Sequence, residues 1–150
     1  MNNKLKGIIS AAVVSLSLVA PAQAEEQRYI SIRNTDTVWV PGNICVYQFR
    51  LDNGGSSEGF GPMTLSLRLK DKSGNTLTIG NMEVAAFGDS DATRSQEASL
   101  ENECVENVSS VEIMKATEER NGYQINLPMS AFDPQYYQPL PVSVARGKAS

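Results

Sequence analysis

The chain has 150 residues, with 13 basic and 17 acidic side chains, two cysteines and no histidine. A net charge of −4, with no basic stripe of interleaved aromatics, argues against nucleic acid or anionic lipid as a partner. Without histidine there is no Ser–His or Cys–His nucleophilic pair, no imidazole acid–base group and none of the commoner zinc sites.

Residues 1–24 have the form of a cleavable export signal. Lys4 and Lys6 make a short basic region, Gly7–Ala20 is apolar, and Ala22-Gln23-Ala24 supplies the small residues that a signal peptidase needs. The apolar run is 14 residues long, shorter than the ~18–20 needed to span a bilayer. No lipidation cysteine follows it, so insertion in a membrane is not expected. The expected mature chain is Glu25–Ser150, a single domain of net charge −6, secreted to the periplasm or the exterior of a bacterial cell. In such a compartment Cys45 and Cys104 read as one disulfide.

Short alternating runs follow, separated by turn residues. Arg28–Arg33 puts Ile30 and Ile32 on one face, Asn34-Thr35-Asp36 is a turn signal, and Thr37–Val40 is a second short run ended by Pro41-Gly42-Asn43. Asn43–Asn53 alternates with Cys45, Tyr47, Phe49 and Leu51 on one face, the pattern of a half-buried strand. Asp52–Pro62 is a glycine-rich loop in which Phe60 is the one large apolar residue, either tucked into the core rim or presented for binding.

Met63–Lys70 alternates without fault, Ser73-Gly74-Asn75 turns it, and Thr76–Ile79 returns with Leu77 and Ile79 expected inward. Gly80-Asn81 breaks the pattern before a weaker strand, Met82–Phe87. Thr93–Cys104 supports two readings. Helical spacing of Leu100, Cys104, Val108 and Val111 favours a short helix, while the need to complete a sheet favours an irregular or strand-like piece. Val108–Thr117 and Tyr123–Leu127 flank an Asn121-Gly122 hairpin signal, Pro128–Pro141 reads as a loop with Phe132, Tyr136 and Tyr137, and Pro141–Arg146 closes the chain. Eight or nine short strands at this spacing predict an all-β, immunoglobulin-like sandwich.

No GxSxG, P-loop or GxGxxG pattern is present, and no cofactor or metal site is expected. Asp89-Ser90-Asp91 lacks the remaining ligands of a calcium loop, and Glu101, Glu103 and Glu106 read as a solvated surface run. Recognition is what remains. Trp39, Phe60, Tyr136 and Tyr137 are the aromatics outside the clean strands, and each is a candidate interface anchor or a core filler.

The running sequence carries more than its spacing does. Glu25–Cys45 (EEQRYISIRNTDTVWVPGNIC) is followed by YQFRLDNGG, EGFGPMTLSLRLKDK, ATR, ECVEN and a C-terminal FDPQ. Together these resemble the interleukin receptor mimic protein A family of small secreted bacterial proteins. The resemblance implies a fibronectin type III-like sandwich, a homodimer formed by strand exchange, binding of host interleukins and no catalytic residues. It transfers no contact residues. The WSxWS signature of cytokine receptors is absent, because Trp39 is the one tryptophan. Two other functions stay open on the residues alone. One is a structural or accessory subunit of a bacterial surface structure; the other is a carboxylate-based enzyme acting without histidine.

Overall fold

The structure, a computed structural model, describes residues 28–55, 58–135 and 139–145. Nine strands run through them: β1 (Ile30–Val40), β2 (Ile44–Asp52), β3 (Met63–Lys70), β4 (Thr76–Val84), β5 (Ser95–Glu103), β6 (Ser110–Arg120), β7 (Tyr123–Asn126), β8 (Phe132–Pro134) and β9 (Val142–Val144). Among the described residues the only helical turns are two 3-10 turns, Asp91–Thr93 and Met129–Ala131. One sheet has the order β5-β2-β1-β8 and the other β4-β3-β6-β7, with β9 also on β6. The β1-β2-β5 and β4-β3-β6-β7 sets have the connectivity of a fibronectin type III-like sandwich. The C-terminal segment adds one short parallel strand to each sheet, β8 beside β1 and β9 beside β6.

Alternation with a period of two builds the core. Tyr47, Phe49 and Leu51 of β2 and Leu65, Leu67 and Leu69 of β3 are all at most 2% exposed and belong to one cluster. Each such side chain stabilises the fold by about 2 kcal/mol relative to an exposed position. Cys45 and Cys104 are joined, closing a 59-residue separation. The chain-entropy account assigns a loop of that size about 4 kcal/mol.

Four expectations change, three for a local reason and one through pairing with a strand distant in sequence. Asn34-Thr35-Asp36 is no turn; it is a bulge inside a continuous β1. The buried Asn34 amide donates to the Asp36 and Gln48 carbonyls, satisfying groups that the disrupted ladder leaves behind. On β4, Leu77 and Ile79 do not both face the core. A register shift beside Lys70 and Thr76 turns Ile79 outward, 52% exposed opposite Arg68, and brings Gly80 inward opposite Leu67. Gly80 does not break the strand. A Cβ there would lie 2.8 Å from Leu100 Cδ1 on β5, so any larger residue would displace the end of that side chain.

Of the two readings of 93–104 the strand-like one holds: residues 95–103 form β5, paired with β2 along its whole length. Finally, the expected loop at 128–141 carries β8, whose Phe132 is buried against Ile30. The β6–β7 hairpin turns through Asn121 and Gly122, both at positive φ as the sequence signal requires.

The shift on β4 has a direct thermodynamic signature. Leu67→Ala should cost about 3 kcal/mol in denaturant unfolding and Ile79→Ala less than about 0.5 kcal/mol. Equal losses would contradict the outward position of Ile79.

Candidate binding surface

Pro41-Gly42-Asn43 ends β1, and Gly42 and Asn43 take the positive φ values that reverse the chain into β2. The resulting hairpin pairs Val40 with Ile44, Val38 with Val46 and Trp39 with Cys45. Its base is fixed from the β5 side. Cys104 follows β5, is bonded to Cys45, and donates its N–H to the Asn43 carbonyl at 2.9 Å.

Trp39 shares the face of Cys45 and Tyr47, which lower on the sheet is the core face, yet it is 63% exposed. The hairpin therefore projects past the cover of the opposite sheet. Among the described residues the outer edge of β1 is also unpaired here, because β8 pairs it only at Ile30–Ile32. Part of that edge is blunted: the Asp36 carboxylate accepts the Thr37 N–H.

The other predicted residues divide. Phe60 takes the core role. It is 3% exposed, bridges to Phe87 by two backbone hydrogen bonds and stacks on its ring at 5.6 Å. The Arg28 guanidinium lies over the Phe60 ring, its Cζ 4.4 Å from the ring centroid. Phe60 is thereby withdrawn from the set of exposed anchors. Tyr136 and Tyr137 lie outside the described residues. Val38, Tyr29, Tyr123 and Ile125 are exposed apolar or aromatic residues that sequence reasoning passed over. Tyr123 and Ile125 looked like ordinary strand positions; among the described residues nothing covers β7, and both come out exposed.

Glu118 is a second residue that the sequence did not mark. It occupies an inward position of β6, fully buried, with Arg28 donating to its two oxygens at 2.7 and 2.8 Å and the Gly61 N–H donating at 2.9 Å. Burial alone would push this carboxyl up, but the hydrogen bonds from Arg28 and Gly61 and the charges of Arg28 and Arg120 outweigh it. The carboxyl is held below the usual glutamate value. Beside it Asn53, also buried, donates to the Gly88 and Glu58 carbonyls and accepts the Gly55 N–H. These bonds hold the 53–61 loop against β6 at the end of the sandwich opposite the disulfide.

On the outer face a groove of about 280 Å³ is lined by Tyr29, Ser31, Arg33, Arg50, Asp52 and Arg94. Two of its three cations carry counter-charges, Arg94 on Asp52 and Arg50 on Glu97. No group of three or more potential metal ligands occurs among the described residues. No helix among them is long and apolar enough to cross a membrane.

Connectivity, disulfide and projecting hairpin define a fibronectin type III-like sandwich module. The family model of interleukin receptor mimic protein A matches residues 30–135, and the chain belongs to that family. A solved structure of IrmA from Escherichia coli is similar at 68% identity with a TM-score of 0.73, covering 76% of this chain and 97% of that one. No curated protein matches the chain.

The Arg28–Glu118 pair sets an acid limit. Because the folded carboxyl titrates below its unfolded value, its contribution is complete above about pH 4.3 and is lost as pH falls through the lower folded value. Glu118→Gln should destabilise the protein by about 3 kcal/mol at neutral pH, because it removes the buried carboxylate that the Arg28 guanidinium clasps with two hydrogen bonds. The variant should also lose stability less steeply than the parent below about pH 4 in denaturant titrations. Parallel curves would place the acid sensitivity elsewhere.

Proposed function

We propose that the protein is an exported, non-enzymatic binding module that engages host interleukins as a cytokine-receptor domain does. The observation that carries this reading is the family match over residues 30–135, to a family described as an interleukin receptor mimic. The fold supports it. Sandwich modules offer sheet faces, edges and end loops as contact surfaces, and Trp39 stands exposed on such a surface. The reading includes removal of residues 1–24 on export, a segment outside the described residues.

The module acts as a homodimer in this proposal. The uncovered edge of β1 beyond Ile32 and the exposed Trp39 beside it suit a second copy of the chain. The Pro41-Gly42-Asn43 turn is the hinge that would let β1 pass to the partner subunit; the 52–62 loop is the other hinge, though its anchoring through Asn53 and Phe60 makes its release costlier.

Two measurements test these claims. Size-exclusion chromatography with light scattering at tens of micromolar should give twice the chain mass, and monomer alone would remove the dimer. A surface-binding screen of the mature protein against a panel of interleukins should find at least one partner, with loss of binding in the disulfide-reduced control. No binding tighter than micromolar to any of them would remove the receptor-mimic reading.

A further inference from the structure

The solvent face of the β5-β2-β1 sheet is laid out in rows by its register. At the hairpin end the first row is Val40, Ile44 and Glu103, and the second is Val38, Val46 and Glu101. The third row, Asp36, Gln48 and Ser99, is polar; the fourth, Arg33, Arg50 and Glu97, is charged. Four aliphatic side chains therefore sit together on a face that looks to solvent, with two carboxylates along one side. Val38 is 37% exposed and the other three are half-buried against one another, while Glu101 and Glu103 are exposed.

Strand propensity explains β-branched residues at these positions but not their lack of polarity, since threonine would serve a solvated strand equally well. Protection of an edge strand explains carboxylates on β5 but not the aliphatic group beside them. A contiguous apolar centre with a charged rim is the pattern of a contact surface. The two carboxylates are also uncompensated. Glu97 pairs with Arg50 at 3.0 Å, but among the described residues no cation pairs with Glu101 or Glu103. Directly beneath this face, the disulfide and the Cys104–Asn43 hydrogen bond hold β2 to the end of β5. The face is thus rigid before any partner arrives, which lowers the ordering cost of binding.

We propose that this face, Val38, Val40, Ile44 and Val46 rimmed by Glu101 and Glu103, docks the partner, and that the matching surface is apolar at its centre and basic around it. The inference rests on the interleukin-binding reading and commits to an interleukin with a lysine- and arginine-rich docking surface. Charge complementarity selects that occupant. The first two rows contain no lysine or arginine, so a second copy of the chain centred on the patch would leave both glutamates unpaired. The chain's net negative charge adds long-range attraction for a basic partner. Trp39, on the opposite side of the same hairpin, stays free for the subunit contact.

The test uses the mature disulfide-bonded protein on a biosensor surface against two interleukins of similar size, one strongly basic and one acidic. The basic one should bind and the acidic one should not, with affinity falling as salt rises. Joint Glu101→Lys and Glu103→Lys substitution should weaken binding about tenfold, mostly through the association rate, and flatten the salt dependence. Val38→Ser, at a position already exposed, should weaken it about tenfold through faster dissociation. Unchanged thermal melting of the variants confirms that they fold. Parent binding to the basic interleukin that both variants retain in full overturns the face and leaves the receptor-mimic reading standing, as does preference for the acidic one. A parent protein silent toward the basic interleukin overturns the docking face as stated, while the receptor-mimic reading stands or falls on the full interleukin panel.

Discussion

The inward rows of β2 and β3 carry the molecule: Tyr47, Phe49 and Leu51 from one sheet and Leu65, Leu67 and Leu69 from the other, in one buried cluster. Because each strand spends alternate residues on this contact, its other face is committed to solvent. The consequence reaches the hairpin. The opposite sheet stops before the β1–β2 turn, so Trp39, whose register places it on the core face, comes out exposed. The valines on the other side of the hairpin were never going to meet the core.

The two ends of the sandwich are closed by different chemistry. At the hairpin end a covalent bond joins Cys45 to Cys104. At the far end the closure is polar: Arg28 and Glu118 pair under the Phe60 ring, and Asn53 gathers the loop carbonyls. Buried ion pairs and amides of this kind are costly unless every member is satisfied, and here they set the path of a loop that has little apolar content of its own. One end thus responds to reductant and the other to acid. The candidate interface lies at the disulfide end.

Much of this was legible in the residues. β2, β3, the Asn121-Gly122 hairpin and the pairing of the cysteines follow from alternation, turn chemistry and compartment. What escaped was parity. The bulge at Asn34 and the shift beside Thr76 each insert a residue, and a period-two reading then assigns the wrong face to everything beyond, as with Ile79. Glu118 was hidden because the predicted strand ends at Thr117, whereas β6 runs on to Arg120, and an irregularity opposite Ser66 and Leu67 turns Glu118 inward. β5 was ambiguous because Leu100 is its one buried side chain, too little to show a period. The parallel additions of β8 and β9 depend on partners far away in sequence. At the candidate site Trp39 stood out as an aromatic outside a clean strand. The aliphatic face behind it did not, because alternation says which residues share a face and not which face is covered.

Amide hydrogen exchange of the protein with and without a bound interleukin tests the account most directly. Slower exchange confined to residues 36–46 of the hairpin and 97–103 of β5, with β3, β4 and β6 unchanged, is the predicted footprint. Protection spread over the β4-β3-β6-β7 sheet, with the hairpin exchanging as in the free protein, would contradict it.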